Sequence, residues 1–512
     1  MPAWLWVFIA IGALLAAIAV YDLLQRRHAI LRNFPIIGHL RYLLEAVGPE
    51  LRQYIVTDNR TERPFDRDQR RWIYASAKRE NNNFAFGSDE DLDTAPDHII
   101  VDQSMFPLPR PEADDDWVPC AKVLGGARDR RGKFRPLSAV NVSAMSFGAL
   151  SGVAVEAVNR GCAMAGCLHN TGEGGLSPYH LCGGELVFQI GTGYFGCRDQ
   201  EGRFDLSRLA DTCARHPIRA IEIKLSQGAK PGLGGVLPGA KVTPEIAEAR
   251  GVRPGQDCRS PSKHTAFGNV DGMLDFVETI AERTGLPVGI KSAVGADDFW
   301  VELADLMATT GRGVDFVTID GGEGGTGDAP LAFSDHVALP FKLALARAYR
   351  AFAEREVADD VVFIGSGRLG LPETALVAMS LGCDMVNVAR EAMLAIGCIQ
   401  AQRCHTGKCP VGITTHSAWR TRGLDPTLKA VRLANYVSTL RHELLELSHA
   451  CGVVHPRLVG ADRVEILDGH FGSRTLRDTF AYQSSWASVP EADRVALHEL
   501  MSSSSRSVRV GQ

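Results

Sequence analysis

Three cysteines near residue 400 lie close enough in the chain to hold one metal centre. Cys398, Cys404 and Cys409 fall within twelve residues, in a stretch that also contains His405. Thiolates bind both iron–sulfur clusters and zinc. Three cysteines without an obvious fourth suit a [3Fe–4S] cluster, whereas the same three with His405 would suit zinc. The spacing leaves both alternatives open, beside a third in which the thiols are buried and inert.

Lysines at the ends of apolar runs form a second group with chemical potential. Lys224 ends the run IEIK, Lys291 ends VGIK, and Lys230 follows in the glycine-rich stretch QGAKPG. A buried lysine is costly unless it meets an anion, such as a reduced flavin or a substrate carboxylate. Glu173, in the glycine-rich turn NTGEGG, could act as an acid or base or hold a substrate. The alternative for all four is a solvated loop position.

Glycine-rich loops form the third group. Gly365 and Gly367 follow the apolar run VVFI, and Arg390 follows the run MVNV. Backbone N–H groups in such loops hold phosphates, so a phosphorylated cofactor such as FMN is physically reasonable. A tight turn is the alternative. The loop at 320–327, DGGEGGTG, could pack its backbone against a flat ring because glycine has no Cβ; a mobile loop is the alternative there.

Strands alternating with helices must position these groups. Short apolar or β-branched runs alternate with amphipathic helical patterns, which predicts βαβ units and a parallel sheet. Polar and glycine-rich residues follow many of the runs, and this favours a (β/α)₈ TIM barrel over a doubly wound sheet. The predicted strands occupy residues 139–142, 220–224, 287–291, 316–320, 361–364 and 385–388.

The composition is that of an ordinary globular protein. The 512 residues are 45% hydrophobic and 22% charged, which excludes a disordered or collagen-like chain. With 55 basic and 60 acidic residues, the net charge of −5 gives no reason to expect a nucleic-acid partner. Twelve cysteines are too sparse for a disulfide scaffold.

The N-terminus is unlike the rest of the chain. Residues 2–20 carry no charge, Trp4, Trp6 and Tyr21 lie near the ends of the apolar stretch, and Arg26 and Arg27 follow it. This pattern predicts an N-terminal transmembrane helix, a single-pass anchor with the catalytic domain in the cytoplasm. A cleaved signal peptide and a buried globular helix are the alternatives.

The pattern along the chain predicts four segments. A turn signal at Gly48-Pro49 is predicted to break an amphipathic stretch at 40–54. The four segments are a transmembrane anchor at 1–25, a helical and irregular lead-in at 26–118, a barrel with the cysteine loop at 119–440, and a C-terminal helical tail at 441–512.

Six sequence segments resemble the FMN-binding synthase domain of the glutamate synthase large subunit. Their order along the chain is that of the family, and the region in which they lie, about residues 137–416, is more than half of the chain. The resemblance implies a (β/α)₈ barrel with FMN in its mouth and a [3Fe–4S] cluster beside it, and thus iron rather than zinc. The segments are SAMSFGALS (143–151), NTGEGG (170–175), KLSQGAKPG (224–232), LPGAKV (237–242), GEGGTG (322–327) and CIQAQRCHTGKCPVGITT (398–415).

The resemblance also implies an activity and roles for individual residues. The family forms L-glutamate from 2-oxoglutarate and ammonia through 2-iminoglutarate, with a hydride from reduced FMN. Catalytic roles would fall to Lys224, Lys230, Glu173 and Gln227, and the cluster ligands would be Cys398, Cys404 and Cys409. FMN would contact Ala144, Met145, Ser146, Asn170, Lys224, Lys291, Gly324, Gly325, Gly365, Gly367 and Arg390.

The chain departs from the family pattern in several places. No glutaminase domain is expected ahead of residue 137, so ammonia would be free or come from a separate amidotransferase. Leu233 replaces a usual acidic residue and Asp328 a usual small one. No nicotinamide-binding motif is recognisable, so a ferredoxin or a reductase is expected as electron donor. Two other hypotheses remain: a flavin oxidoreductase of the same barrel acting on another substrate, and a non-catalytic electron-transfer subunit.

Overall fold

The computed structural model describes residues 2–502 and separates into two compact units. The first unit covers residues 1–71 and the second covers residues 72–512. The segment from residue 26 to residue 118 is therefore divided between them. The cysteine stretch and all the predicted catalytic residues fall in the second unit.

The first unit contains the apolar N-terminal helix, Ala3–Leu24. At about 1.5 Å per residue, its 22 residues are long enough to cross a bilayer. Residues 2–502 bury none of its most apolar window, which contradicts the alternative of a buried globular helix. The elements that follow in this unit are the helices Ala29–Asn33 and Gly38–Leu51 and the π-helical turn Arg52–Val56.

The predicted break at Gly48-Pro49 is wrong. The helix Gly38–Leu51 continues through Pro49. Proline at this position removes one backbone N–H donor. The helix does not end in a tight turn there but continues into the wider π-helical segment Arg52–Val56. The apolar residues of this stretch therefore share one continuous helical surface.

A closed parallel barrel of eight strands forms the centre of the second unit. Around the barrel the strands follow chain order, and the last strand pairs with the first. This confirms the predicted TIM barrel and excludes the doubly wound sheet. The strands are β1 (Val140–Val142), β2 (His169–Asn170), β3 (Leu186–Ile190), β4 (Ile218–Lys224), β5 (Val288–Ser292), β6 (Phe316–Asp320), β7 (Val362–Ser366) and β8 (Met385–Val388).

Two of these strands escaped prediction. All six predicted runs form strands of the barrel. The added strands are β2, which has only two residues and is polar, and β3, whose run LVFQI lies between glycine-rich segments. A two-residue polar strand has no alternating or apolar pattern, so only its pairing with β1 and β3 reveals it.

Helices surround the barrel and connect its strands. Many begin at a side-chain cap: Ser151 Oγ accepts from the backbone N–H of Ala154, and Asn269 Oδ1 accepts from that of Gly272. The α-helices are Arg67–Lys78, Gly152–Ala165, Leu206–Arg215, Pro244–Arg250, Val270–Thr284, Asp298–Thr310, Leu331–His336, Phe341–Ala353, Pro372–Ser380, Arg390–Ala395, Ala418–Thr421, Pro426–Ala450, Leu476–Thr479 and Glu491–Met501. Short 3₁₀ turns are Pro178–His180, Gly239–Lys241, Cys404–Thr406 and Pro456–Leu458.

Two small sheets lie outside the barrel. Strand Pro96–Val101 pairs antiparallel with Val464–Asp468, which pairs with Ser473–Thr475. Strands Val236–Leu237 and Cys258–Arg259 form a hairpin-like pair in the segment between β4 and β5. The first sheet joins the segment ahead of the barrel to the segment after it.

A hydrophobic cluster fills the N-terminal end of the barrel. Cys120 and Leu124, from the segment before β1, pack there against Phe316, Val362 and Met385. Leu124 also pairs with Phe134, so residues 120–134 form a plug. Because this end is closed, the loops at the C-terminal ends of the strands are the place for a site, as in other barrels of this type.

Candidate functional site

An ion pair between Lys224 and Glu173 lies at the C-terminal end of the barrel. Lys224 is the last residue of β4, and its Nζ lies 2.7 Å from Glu173 Oε1. The same Nζ donates to Gln227 Oε1, also at 2.7 Å. The two charged side chains are 13% and 22% exposed, so the pair is largely shielded from water. Lys224 thus contacts two of the other three predicted catalytic residues.

The loop after β2 brings Glu173 into this position. Asn170 Oδ1 accepts from the backbone N–H of Gly172 at 3.0 Å, which fixes the turn. Gly191, the residue after β3, lies beneath the carboxylate: a Cβ there would come 2.5 Å from Glu173 Oε2. A side chain at residue 191 would therefore displace Glu173. The amide nitrogen of Asn170 donates to buried Glu222 at 2.8 Å, so Asn170 serves the barrel interior.

Lys230 completes the predicted catalytic group and differs from Lys224 in its partners. Among the residues that the structure describes, no carboxylate oxygen lies within 4.0 Å of its Nζ. Burial and the positive charge of Lys224 lower its pKa, while Glu173 and Asp328 act in the opposite direction. Lys230 is thus a half-buried cation whose electrostatic environment favours the arrival of an anion.

Arg250 is a further cation of this site that sequence reasoning missed. It is buried at the end of the helix Pro244–Arg250, and its guanidinium donates to Phe147 O at 3.3 Å. Burial tends to raise the pKa of Glu173, but Lys224, Lys230 and Arg250 together lower it below its usual value. Glu173 is therefore ionised at neutral pH, paired with Lys224 and stabilised further by the charges of Lys230 and Arg250. Arg250 was missed because it lies in an ordinary helical sequence pattern, which does not indicate a functional site.

His264 and Tyr194 hold the backbone of Lys224 in place through hydrogen bonds, and the sequence patterns did not predict either residue. Tyr194 Oη accepts from the backbone N–H groups of Thr265 and Ala266, each at 3.0 Å, so its proton is directed to His264 Nδ1 at 3.2 Å. His264 Nε2 then donates to Lys224 O at 2.9 Å. Burial lowers the pKa of His264, consistent with this neutral tautomer. The chain of hydrogen bonds fixes the end of β4.

Lys291 lies one strand further round the barrel and has a carboxylate partner. It is buried at the end of β5, with its Nζ 3.5 Å from Asp320 Oδ2 at the end of β6. Asp320 Oδ2 also accepts from the backbone N–H of Gly228 at 2.9 Å. Gly228 approaches the next loop so closely that a Cβ would lie 1.8 Å from Gly321 O. The loops after β4, β5 and β6 are thereby joined around Lys291.

Two arginines lie close together after β7 and β8. Arg390 begins the helix Arg390–Ala395, and its guanidinium donates to Glu323 O. Burial lowers the pKa of Arg390, and the nearby positive charge of Arg368 lowers it further, against the effect of Glu391. Two neighbouring guanidinium groups are stabilised by an anion with several oxygens, such as a phosphate. These residues therefore fit the phosphate of FMN.

Apart from Asn170, Lys224 and Lys291, described above, the predicted flavin-contacting residues fall in two neighbouring groups. Gly325 lies against Arg390, since a Cβ would come 2.6 Å from its Cδ. Gly367, with φ +132°, follows β7, and Gly321 N donates to Ser366 O at 2.8 Å. The remaining predicted residues of this group, Gly324 and Gly365, lie in the loop after β6 and at the end of β7.

Ala144, Met145 and Ser146 form the other group, directly after β1. Ser143 N donates to Val388 O at 2.8 Å, which places this segment beside the end of β8. A Cβ on Gly172 would meet Ser146 N at 2.6 Å, so the same segment borders the loop of Glu173. Ala144–Ser146 thus lie between the arginine pair and the Lys224–Glu173 pair.

The cysteine loop carries its three thiols at different depths. Cys409 is buried, and Cys398 and Cys404 are partly exposed. Burial tends to raise the pKa of Cys409, but hydrogen bonds from Thr414 and from the backbone of Val411 and Ile413 lower it, which favours a thiolate. Cys398 Sγ accepts from the N–H of Gln400 at 3.4 Å. Across residues 2–502, no group of three or more His, Cys, Asp and Glu side chains is arranged to hold a single metal ion.

The cysteine loop is fixed to the segment that carries Ser146. Ser151 Oγ donates to Gly412 O at 2.7 Å, and Ser151 N donates to Ile413 O at 2.8 Å. His416 Nε2 lies 2.9 Å from Gly148 O. The two predicted cofactor regions, the cysteine loop and the segment after β1, are therefore neighbours. The two segments are more than 200 residues apart in the chain, so the sequence does not predict these hydrogen bonds.

The structure is thus a closed (β/α)₈ barrel with lysines and arginines clustered at its C-terminal end. Residues 129–454 match the family described as "Conserved region in glutamate synthase". The chain belongs to this glutamate synthase family and is an oxidoreductase of that type.

Several curated proteins share this similarity. The chain is 37% identical over 478 residues to "Glutamate synthase large subunit-like protein YerD" of Bacillus subtilis, covering 86% of this chain and 90% of that protein. It is 34% identical over 318 residues to "Archaeal glutamate synthase [NADPH]" of Methanocaldococcus jannaschii, covering 61% and 59%. It is 34% identical over 319 residues to "Archaeal-type glutamate synthase [NADPH]" of Thermotoga maritima, again 61% and 59%. The chain thus spans about three fifths of the last two proteins.

Proposed function

We propose that this chain catalyses the reductive amination of 2-oxoglutarate to L-glutamate through 2-iminoglutarate. One observation carries the proposal: the half-buried Lys230 stands beside the Lys224–Glu173 pair without a carboxylate within 4.0 Å among residues 2–502. A dicarboxylate substrate would supply the anion that this cation lacks. Arg250 adds a buried cation whose charge also acts on Glu173.

The chain's own residues would hold the two substrates. Lys230 and Lys224, assisted by Gln227, would bind the carboxylates of 2-oxoglutarate. Glu173, kept anionic by its cationic neighbours, would accept a hydrogen bond from ammonia and so orient it toward the keto carbon. Ammonia replaces the keto oxygen, which leaves as water, and two electrons and two protons then convert the imine to the amine.

FMN is the proposed cofactor, and the residues at the mouth fit it. Arg390 and Arg368 would hold its phosphate, and Lys291 would lie near the ring, with its charge stabilising the reduced form. Ala144–Ser146, between the arginines and Lys224, would border the flavin. When bound, FMN would supply the hydride for the imine.

A [3Fe–4S] cluster is the proposed second cofactor, with Cys398, Cys404 and Cys409 as its ligands. Thiolates hold iron–sulfur clusters, so each of these cysteines would supply one ligand to the iron. The hydrogen bonds that favour a thiolate at Cys409 suit this role. The bonds from Ser151 to the cysteine loop support electron transfer between this loop and the flavin region. A ferredoxin or a reductase would be the electron donor, and ammonia would be free or come from a separate amidotransferase.

The proposal includes a single membrane span at Ala3–Leu24, with the barrel on the cytoplasmic side. The helix is apolar enough to span, and it is not buried within the chain. Arg26, Arg27 and Arg32 follow it and are exposed, which favours retention of this side in the cytoplasm.

A second candidate function is the same reductive chemistry on a different 2-oxo acid. Asp328 carries this alternative, because its negative charge acts on Lys230 and would oppose the binding of a second carboxylate there. Asp328 is exposed, so its effect is partly screened by water. A monocarboxylate 2-oxo acid would be preferred if this effect dominates.

Anaerobic purification followed by an activity assay tests the proposal. The expected result is a flavin spectrum with protein-bound iron and sulfide, and formation of L-glutamate from 2-oxoglutarate, ammonium and a chemical reductant. Glutamate formation should be lost in Lys224→Ala, which retains the flavin-contacting residues of β7 and β8. Cofactors without turnover on any 2-oxo acid would instead indicate an electron-transfer subunit.

A further inference from the structure

The helix Gly38–Leu51 carries an apolar stripe that the other described residues of its own unit leave exposed. Within Gly38–Leu51, the stripe recurs on one face with helical spacing. Its members are each between 41% and 59% exposed: Leu40, Leu43, Leu44, Val47 and Leu51. Exposed contiguous apolar surface of this kind marks a contact with a membrane or another protein.

Exposed apolar side chains continue beyond the helix, and the face of the helix opposite the stripe is packed. Tyr54, Ile55 and Val56, in the π-helical turn, are exposed as well. On the other side of the helix, Tyr42 packs edge-to-face against His28, with ring centroids 5.2 Å apart. The helix therefore presents its polar and packed side to its own unit and its apolar side outward.

Hydrogen bonds fix the start of this helix to the end of the proposed span. Asp22 is fully buried, and both of its carboxylate oxygens lie 3.0 Å from His39 Nε2. Asp22 Oδ2 also accepts from the backbone N–H of Ile36 at 2.9 Å. Because Asp22 lies in the last turn of the helix Ala3–Leu24, His39 is held at the level where the span leaves the bilayer.

The charges around this junction have one predominant sign. Between residues 25 and 56 there are five arginines against two glutamates, and all five arginines are exposed. One of the glutamates, Glu45, is paired with Arg41 at 2.7 Å. An apolar stripe flanked by arginines is the pattern of a helix lying in the surface of an anionic bilayer.

We infer that the segment Gly38–Val56 is a second membrane contact, an interfacial helix whose apolar stripe inserts among anionic phospholipids beside the span. The inference rests on the membrane span of the proposed function. The helix is too short and too charged to span the bilayer itself, since its 14 residues include Arg41, Glu45 and Glu50. The first unit would thereby contact the membrane through two elements, the span Ala3–Leu24 and the interfacial segment Gly38–Val56.

Fluorescence quenching by brominated lipid tests this inference on the full chain. An environment-sensitive amino acid such as dansylalanine replaces Leu44 on the stripe, Glu45 on the other side of the same helix, or Leu14 within the span. Each protein is reconstituted in phosphatidylcholine–phosphatidylserine vesicles with brominated acyl chains. Quenching at Leu44 is expected to exceed that at Glu45 by about threefold or more, and Leu14 is expected to be quenched strongly.

The other outcomes separate this inference from the span. Quenching at Leu14 with equal, weak quenching at Leu44 and Glu45 would overturn the interfacial contact and leave the span standing. Absence of quenching at Leu14 would overturn the span, and with it the premise of the inference. An apolar emission at Leu44 that brominated lipid does not quench would mean that protein, such as a second copy of the chain, covers the stripe, and would overturn the inference.

Lipid charge and a pair of variants sharpen the test. Omission of phosphatidylserine should weaken quenching at Leu44 and leave Leu14 unchanged; no change at Leu44 would overturn the preference for anionic lipid. With the probe moved to Leu51, Leu40→Ser/Val47→Ser should reduce its quenching by about threefold or more, because exposed apolar contacts are removed without touching the packed face. The matched control Glu45→Ser should leave it unchanged.

Discussion

Replacing Lys230 with methionine removes a positive charge from the mouth of the barrel while keeping a side chain of similar length. In the structure, Lys230 lies close enough to Lys224 and Glu173 to feel both charges, and no carboxylate of residues 2–502 neutralises it within 4.0 Å. The proposed function assigns one substrate carboxylate to this ammonium. Lys230→Met should therefore weaken the binding of 2-oxoglutarate and leave the Lys224–Glu173 pair in place.

The size of the effect follows from the contact that is lost. A hydrogen bond to a charged group contributes about 1.5–3 kcal/mol net. At about 1.4 kcal/mol per factor of ten, this corresponds to a Kd for 2-oxoglutarate that rises about 10- to 150-fold. The upper half of this range is favoured because Lys230 is half-buried, and because the substrate also offsets its repulsion from Lys224.

Titration calorimetry of the purified protein with 2-oxoglutarate measures the change. The matched control is Lys133→Met, in the plug at the opposite end of the barrel, where Lys133 pairs only with Asp129 of its own turn among the ion pairs of residues 2–502. The control should bind as the wild type does. An unchanged Kd in Lys230→Met, with the wild type binding normally, would refute the assignment of this lysine to the substrate.

Three further predictions concern the carboxylate, its support and the cysteine loop. Because the folded-state pKa of Glu173 is lowered, its ionised form stabilises the fold at pH values above its unfolded pKa, and this contribution is lost as the pH falls through the folded pKa. Urea titrations of the wild type and Glu173→Gln measure this contribution as a difference in free energy of unfolding. The difference should be constant near pH 7 and shrink below about pH 4.5. Gly191→Ala should displace the Glu173 carboxylate and lower the rate of glutamate formation about 100-fold. The control Gly268→Ala, where a Cβ meets nothing within 4 Å, should leave the rate unchanged. Equal rates in the two variants would contradict the close approach of Gly191 to Glu173. Cys409→Ser should lower bound iron per chain in elemental analysis and Cys182→Ser should not, and iron retained in both would exclude the proposed ligand.

The chain order of strands and helices made the barrel predictable. Six apolar runs, each ending in polar or glycine-rich residues, were sufficient to identify its class, although two strands were missed. The strand β2 is missed because a two-residue polar segment belongs to the barrel only through its neighbours' hydrogen bonds. Local pattern cannot register a strand of that kind.

The candidate site was predictable in its residue types and not in its contacts. Lys224 stands out because a lysine ends a buried strand, but its partner Glu173 lies 51 residues away in the chain. Their meeting depends on the missing side chain at Gly191, directly after a strand that sequence patterns did not reveal. Arg250 and His264 were missed because neither lies in a motif, and their roles arise only from the charges and hydrogen bonds around them.

Isotope-traced turnover under anaerobic conditions tests the central claim most directly. The purified full chain, with a chemical reductant, 2-oxoglutarate and ¹⁵N-ammonium, should form ¹⁵N-labelled L-glutamate, and Lys224→Ala should form none. Protein that contains flavin and iron but forms no labelled glutamate from these substrates would contradict the account.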